Sequence, residues 1–98
     1  MAEIVVLGAG LGGTLMAYEV AAQLRPQDRL TVIGQGGTYH FVPSNPWVAV
    51  GWRRRPDIEV DLVPVLKKKG ATFLTQGSAR VPPTEKRVEL TDGASVPY

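Results

Sequence analysis

The stretch Glu3-Ile4-Val5-Val6-Leu7, followed by Gly8-Ala9-Gly10-Leu11-Gly12-Gly13, decides the fold of this chain. The first part is apolar, rich in β-branched residues and ends at a glycine, which is typical of a short strand buried on both faces. The glycines of the second part fill the G-x-G-x-x-G pattern of a strand-to-helix turn that holds a pyrophosphate. The start of the chain therefore predicts a dinucleotide-binding unit.

Each glycine of this pattern has a physical role. Gly8 permits the tight turn out of the strand, and Gly10 lets the backbone approach the phosphates. Gly13 lets the following helix pack closely on the sheet. The start of that helix offers free N–H groups and a partial positive charge, so the loop is suited to an anion.

A helix and a second strand follow the glycine loop. Apolar residues at helical spacing predict a helix over residues 11–24, which Pro26 ends. The apolar positions are Leu11, Leu15, Ala17, Tyr18, Ala21, Ala22 and Leu24. The run Arg29–Ile33 predicts a second buried strand. A strand, a helix and a strand in so short a segment predict parallel pairing through a right-handed crossover.

The rest of the chain predicts one irregular segment, one helix and three strands. Residues 39–56 contain Pro43, Pro46 and Pro56 together with both tryptophans and the only histidine, which indicates a long loop. A helix is expected from an N-cap at Asp57 to Lys69, with Pro64 causing either a kink or a late start at Val63. Gly70 is expected to end it. The expected strands are 71–75, 86–90 and 94–98, and the last two form a hairpin through Thr91-Asp92-Gly93.

These elements predict an α/β fold of Rossmann-like βαβ type. It has a three-stranded parallel sheet at its core and a C-terminal β-hairpin, within one domain that spans residues 1–98. The chain stops inside a predicted strand, so we expect a truncated N-terminal fragment of a larger domain. A sheet of this kind has an unpaired edge, and we therefore expect the isolated chain to form a homo-oligomer.

Composition excludes several classes of protein. The 98 residues contain no cysteine, which excludes a disulfide scaffold and a thiolate metal site. Their net charge is +2. The basic runs Arg53–Arg55 and Lys67–Lys69 are expected to be solvated faces, so we expect no nucleic-acid partner. No signal peptide or membrane-spanning segment is expected.

The titratable residues do not form a recognisable catalytic set. His40 stands alone in the sequence, so we expect it to be neither a metal ligand nor a general base. Glu3, Glu19 and Glu59 are expected to be solvating charges on the surface. The sequence therefore predicts no metal site and no catalytic residue in this chain.

One expected feature of a dinucleotide site is absent. An acidic residue that binds the adenosine ribose usually follows the second strand, about 20 residues after the glycine loop. Here Ile33, Gly34 and Gln35 occupy that place, and none is acidic. The amide of Gln35 could bind a ribose hydroxyl, more weakly than a carboxylate would. The glycine motif alone therefore leaves the cofactor open.

The run Phe41-Val42-Pro43-Ser44-Asn45-Pro46-Trp47-Val48-Ala49-Val50-Gly51-Trp52 closely resembles the sulfide:quinone oxidoreductases. These are flavoproteins with two dinucleotide-binding domains. The likeness extends to the Gly8–Gly13 loop, to Ala17-Tyr18-Glu19 and to the helix end at Lys67–Gly70. It implies that the cofactor is FAD. It also implies that a small polar residue is common after the second strand, so the absent acid counts less against the site.

The resemblance implies a role for each residue of the cofactor site. The pyrophosphate would lie at Gly8, Gly10, Leu11, Gly12 and Gly13. The ribose would lie at Gly34 and Gln35, and the adenine at the backbone of Gly77, Ser78 and Ala79. The flavin ring would lie near Pro43 and Asn45. We expect Trp47 and Trp52 to pack mainly on other parts of a larger protein.

The resemblance also implies an activity for the full-length enzyme. It would oxidise sulfide and pass the electrons through FAD to a quinone, at a cytoplasmic or peripheral membrane location. The fragment alone is expected to be inactive. Two alternatives remain open, namely a type II NADH dehydrogenase-like flavoprotein and a nucleotide-binding or inert domain without activity of its own.

Overall fold

The computed structural model describes residues 2–98, which form a parallel sheet between a layer of helices and a small antiparallel sheet. The elements in chain order are β1 (Glu3–Leu7), α1 (Leu11–Ala21), β2 (Arg29–Ile33), β3 (Thr38–His40), α2 (Asn45–Ala49), β4 (Glu59–Asp61), α3 (Leu62–Lys68), β5 (Thr72–Leu74), β6 (Ser78–Arg80), β7 (Arg87–Leu90) and β8 (Ser95–Pro97). Short 3-10 turns cover Val42–Ser44 and Arg55–Ile58.

The parallel sheet has the order β1-β2-β5, as the sequence predicts. Strand β1 pairs with β2 along its whole length, from Glu3 opposite Arg29 to Leu7 opposite Ile33. Strand β5 pairs with the second half of β2. Since β2 is central, it is buried on both faces, and β1 forms one edge of the sheet. The predicted βαβ unit with a parallel three-stranded sheet is confirmed.

The alternating side chains of the strands build two apolar layers. One layer lies between the sheet and helices α1 and α3, and its buried residues are Val6, Ala17, Leu30, Val32, Leu62, Leu66 and Ala71. The other lies between the parallel sheet and the antiparallel sheet, where Ile33, Val88 and Leu90 are buried. Successive residues of a strand point to opposite faces, so β2 contributes to both layers.

Helix α1 differs from the prediction in two ways. It ends at Ala21, because the N–H of Gln23 donates to Val20 O (3.0 Å) and that of Leu24 to Ala21 O (3.4 Å), which tightens the last turn. Its predicted apolar face is confirmed only in its second half. Ala17 is buried, and Tyr18, Ala21 and Leu24 pack against the same core. Leu11 and Leu15, in the first half, are 62% and 56% exposed.

The turn that joins α1 to β2 is fixed by Asp28. Its carboxylate accepts hydrogen bonds from the N–H of Ala2 (2.8 Å) and from the N–H and guanidinium of Arg25 (3.1 Å for the N–H and for Nε). The hydrogen bond from the Arg25 side chain, followed by those from the two backbone N–H groups, lowers the pKa of Asp28 from 3.8 to about 2. This carboxylate therefore ties the start of β1 to the end of α1.

The predicted N-cap at Asp57 is wrong. Asp57 lies in a 3-10 turn, and strand β4 intervenes before α3 begins at Leu62. Asp61 is the N-cap, and its Oδ1 accepts from the N–H of Val63 (3.1 Å). Of the two expectations for Pro64, the late start is confirmed to within one residue. The prediction missed β4 because its partner lies about twenty residues earlier in the chain.

Helix α3 ends as predicted at Gly70. This glycine has a φ of +86°, the left-handed conformation that glycine adopts without strain. The N–H of Gly70 donates to Lys67 O (3.0 Å), and that of Ala71 donates to Leu66 O (3.1 Å). The two hydrogen bonds form a Schellman motif, which satisfies the last carbonyls of the helix.

The segment over residues 39–56 is more ordered than predicted. Strands β3 and β4 form an antiparallel ribbon in which Tyr39 lies opposite Val60. Helix α2 carries Pro46 in its first turn, where a proline needs no N–H donor. Proline therefore starts this helix, whereas the prediction took it as a sign of irregular structure.

The C-terminal hairpin is confirmed, and one strand was missed. Strands β7 and β8 pair antiparallel, and Gly93 takes a φ of +91° in the turn between them. Strand β6 (Ser78–Arg80) joins the other side of β7, with an irregular register. The result is a three-stranded antiparallel sheet, which covers the parallel sheet on the face away from α1.

Candidate functional site

The turn from β1 into α1 is held mainly by backbone contacts, together with one side-chain hydrogen bond from Oγ1 of Thr14 to Ala9 O (3.1 Å). Gly8 has a φ of +97°, and its N–H donates to Ile33 O (2.7 Å) in the neighbouring strand. A Cβ on Gly13 would lie 1.9 Å from the carbonyl oxygen of Gly8. Only glycine fits at that position, because the first turn of the helix crosses directly over the end of the strand. The absence of a side chain at Gly13 therefore allows the helix to begin directly over the end of the strand.

The start of α1 faces open space. Gly10 is the N-cap, and no side chain caps the helix there. A Cβ placed on Gly10 or on Gly12 would meet no atom within 4 Å. The first N–H groups of a helix have no partner within the helix, so uncapped donors at this end can bind an anion. The loop has the shape and the donors that a pyrophosphate needs.

The glycine loop forms one wall of a cleft of about 480 Å³, here called the glycine-loop cleft. Its opposite wall consists of β3 and the turn that follows it. The lining residues are Gly8, Ala9, Gly10, Leu11, Gln35, Gly36, Thr38, Tyr39, His40, Phe41, Val42 and Pro43. The lining is mainly apolar with a few polar groups, which is typical of a cofactor site.

A second cleft, here called the Gly77 cleft, has a volume of about 270 Å³ and lies beyond the end of β2. Its lining residues are Gly8, Ile33, Gly34, Gln35, Gly77, Ser78 and Thr91. Gly8 and Gln35 line both clefts. The two clefts therefore meet at the glycine loop, outside the carboxyl ends of the parallel strands, where ligands bind in open α/β sheets.

The predicted cofactor residues divide into two groups. Most of them line one of the clefts, namely Gly8, Gly10, Leu11, Gly34, Gln35, Pro43, Gly77 and Ser78. Four others line neither, namely Gly12, Gly13, Asn45 and Ala79. Asn45 is the first residue of α2, and Ala79 is the middle residue of β6. The assignment of all these residues to a cofactor stays a prediction.

The end of β2 has no room for an acidic side chain. A Cβ on Gly34 would lie 2.9 Å from the Cβ of Ala9 and 3.1 Å from Cζ of Phe73. The backbone is fixed as well, because the N–H of Gly34 donates to Leu74 O (2.9 Å). The next residue, Gln35, pairs in an isolated bridge with Gln76 and lines both clefts. Crowding thus excludes a carboxylate at Gly34, whereas the exposed Gln35 is not crowded in this way.

Sequence reasoning missed the cleft wall formed by β3. His40 lines the glycine-loop cleft, and its Nδ1 lies 3.4 Å from Oε1 of Glu59, directly opposite in β4. That Glu59 oxygen also accepts from Nε of Arg55 (2.6 Å). The expectation that Glu59 is a solvating charge is therefore wrong, since its side chain is 24% exposed, forms an ion pair with Arg55 and lies against His40. No short-range pattern places His40 beside Glu59.

The arginine run is also more than a solvated face. Arg53 donates to Oγ of the buried Ser44 (2.9 Å), and its guanidinium lies 5.4 Å from the ring centre of Trp47. Trp47 in turn packs against Trp52, with 4.9 Å between the ring centres. These contacts hold the turns before and after α2 together. Trp52 itself is 72% exposed.

Across residues 2–98 there is no group of three or more His, Cys, Asp or Glu side chains that could hold a metal ion. Within the same range, no helix combines the length and the apolar character needed to cross a bilayer.

Comparison with known proteins finds clear relatives, although no protein-family model matches the chain. The sulfide-quinone reductase of Aquifex aeolicus (strain VF5) is 33% identical over 96 residues, which is 98% of this chain and 22% of the relative. The solved structure of the sulfide:quinone oxidoreductase from Aquifex aeolicus superimposes with a TM-score of 0.93 at 31% identity. That match covers 100% of this chain and 23% of the solved one.

A more distant structure shares the fold. The NADH:rubredoxin oxidoreductase of Clostridium acetobutylicum matches with a TM-score of 0.73 at 22% identity, over 100% of this chain and 26% of that one. The present chain thus spans about a quarter or less of the length of the proteins it matches. These matches confirm the resemblance: the chain is sulfide:quinone oxidoreductase-like in sequence and in fold.

Proposed function

We propose that residues 1–98 are the N-terminal, FAD-binding part of a flavoprotein oxidoreductase of the sulfide:quinone type. The observation that carries this proposal is the pair of clefts that meet at Gly8 and Gln35, beside an uncapped helix start. An extended dinucleotide needs a pyrophosphate site with room on both sides of it. The identity of 33% to a sulfide-quinone reductase supports the assignment to this type of enzyme.

The residues of the chain suggest how FAD would lie. The N–H groups at the start of α1 would bind the pyrophosphate, and the space beside Gly10 would admit its oxygens. The adenosine half would occupy the Gly77 cleft, with Gln35 beside the ribose. The flavin half would extend through the glycine-loop cleft toward Pro43. When bound, FAD supplies the transfer of electrons from the donor to the acceptor.

The role of this chain is to bind and orient the cofactor. It has no cysteine that could take up sulfur, and the described residues contain no paired nucleophile and base. Sulfide oxidation and quinone reduction are therefore proposed for the whole enzyme, with the chain alone inactive. A nucleotide-binding domain without activity of its own is the alternative that the binding experiment below distinguishes.

The proposal is tested by titrating the purified chain with FAD and following flavin fluorescence and absorbance. We expect saturable binding. The variant Gly10→Val should lose it, because Gly10 lines the glycine-loop cleft and its added side chain would occupy the space proposed for the pyrophosphate. Ala22→Val is the matched control, since Ala22 is exposed at the end of α1 and lies outside both clefts. A parent chain that takes up no FAD would refute the proposal.

We further propose that the isolated chain self-associates through the free edge of β1. A groove beside this edge is lined mainly by apolar side chains, among them Ile4, Leu7 and Val88. An unpaired edge strand next to apolar surface favours pairing with another strand. Sedimentation of the parent chain should show a dimer or larger species, and Leu7→Lys should shift it toward monomer. A parent chain that stays monomeric at high concentration would contradict this.

A further inference from the structure

We propose that His40, oriented by Glu59, contacts the flavin half of bound FAD, which lies on the Pro43 side of the pyrophosphate. The inference rests on the proposed function and adds a residue that no sequence motif assigns. The group contacted would be an oxygen atom that accepts a hydrogen bond, on the sugar-alcohol chain or on the ring of the flavin half.

The position of His40 is the first argument. It lies in β3, on the wall of the glycine-loop cleft opposite the glycines, and it does not line the Gly77 cleft. Among the residues that line the glycine-loop cleft, His40 is the only one with an imidazole ring, whose nitrogens can donate or accept a hydrogen bond. The rest are glycine, apolar or neutral polar residues, and Tyr39 is the only other titratable one. A ligand in this cleft meets no carboxylate on its walls.

The second argument is the contact on the far side of the ring. His40 and Glu59 are direct partners in the β3–β4 ribbon, and His40 Nδ1 lies 3.4 Å from Glu59 Oε1. The negative charge of Glu59 on that side of the ring favours a proton on Nδ1 over one on Nε2. Nε2 is then the nitrogen left for a ligand. Nε of Arg55 donates a hydrogen bond to the same oxygen of Glu59 (2.6 Å), which holds the carboxylate in place.

The third argument is that a contact from His40 would affect the binding of FAD but not that of ADP, which lacks the flavin half. If the adenosine half occupies the Gly77 cleft, it lies away from His40. A contact from His40 would then stabilise bound FAD and leave the binding of ADP unchanged. A purely structural role of His40 in the ribbon would instead alter the cleft as a whole, so it would affect both ligands or the stability of the chain.

The test compares FAD and ADP as ligands of the chain, by isothermal titration, for the parent and for His40→Ala, His40→Gln and Glu59→Gln. We expect His40→Ala to weaken FAD binding about tenfold, the effect of one hydrogen bond to a charged or polar group, and to change ADP binding less than about twofold. His40→Gln should retain part of the affinity, because an amide can still donate. Glu59→Gln should weaken FAD binding by a smaller factor, through loss of ring orientation.

Glu19→Gln is the matched control for Glu59→Gln, because Glu19 is exposed on α1 and lies outside both clefts. Thermal unfolding of each variant shows whether the fold is kept. An equal loss of FAD and ADP affinity, or unchanged FAD affinity in His40→Ala, would overturn the inference while FAD binding by the parent still stands. A parent chain that binds ADP but not FAD would remove the proposed function and the inference together.

Discussion

The glycine loop (residues 8–13) and the segment from β3 to β4 (residues 38–61) form opposite walls of the same cleft but are held in different ways. In the glycine loop the decisive contacts are between backbone atoms, such as the Gly8 N–H to Ile33 O and the close approach of Gly13 to Gly8. In the second segment side-chain contacts, such as Arg53 to Ser44 and Glu59 to His40, add to the backbone hydrogen bonds of the β3–β4 ribbon and its turns.

This difference predicts different responses to mutation. A loop that depends on backbone approach tolerates no added atom at the point of contact, and any change there disturbs the fold and the site together. A segment held by side-chain contacts loses one contact at a time, so a substitution there alters local geometry and leaves the parallel sheet intact. The following predictions test that contrast.

The largest effect is expected for Gly13→Ala. The new Cβ would lie 1.9 Å from Gly8 O, so the helix must move away from the strand. We expect a loss of about 3 kcal/mol in the free energy of unfolding, as for severe overpacking. Gly12→Ala, one position earlier in the same helix, should instead raise stability by up to about 1 kcal/mol, because alanine is the better helix former. Urea denaturation followed by circular dichroism measures both, and similar effects of the two variants would break the contrast.

A smaller effect is expected for Ser44→Ala in the second segment. Ser44 is 2% exposed, and its hydroxyl accepts the hydrogen bond from Arg53. Removing the acceptor should cost about 1 kcal/mol and change the tryptophan emission, because Arg53 also lies over the ring of Trp47. Ser95→Ala, at an exposed position, is the control and should leave both stability and emission unchanged. A loss of stability as large as that of Gly13→Ala would contradict the contrast between the two walls of the cleft.

The mildest effect concerns acid stability at the base of the glycine-loop unit. Hydrogen bonds from Arg25 and the backbone lower the pKa of Asp28 from 3.8 to about 2. The charged carboxylate therefore stabilises the fold fully at pH values above 3.8. That stabilisation should be lost as the pH falls from about 4 to about 2. Asp28→Asn should be less stable than the parent at neutral pH, and the difference should shrink in this window. Melting curves between pH 2 and 7 (roughly one per pH unit) measure it. A constant difference would rule out this linkage.

Sequence reasoning was most successful where structure depends on neighbours in the chain. The strand Glu3–Leu7, the turn at Gly8 and the helix end at Gly70 follow from local patterns, and all three are found. The three-stranded parallel sheet was also predicted, because a strand, a helix and a strand of this length allow few topologies.

The errors concern structure that depends on distant partners. Strand β4 exists because Val60 pairs with Tyr39, and the contact of His40 with Glu59 follows from that pairing. No local pattern contains this information, so the sequence alone predicts a helix N-cap at Asp57 and an isolated His40. Likewise, Leu11 and Leu15 fit the helical stripe in sequence but are exposed, whereas Ala17 and Tyr18 of the same stripe pack on the core.

Crowding at Gly34 has a consequence for how this site can evolve. A side chain at that position would collide with Ala9 and Phe73, so selection for a carboxylate at the end of β2 cannot act there without changing both neighbours. The adjacent Gln35 is unconstrained in this respect, and a single base change converts a glutamine codon into a glutamate codon. If the ribose lies beside Gln35, as proposed, a carboxylate can reach it by a change in that one codon.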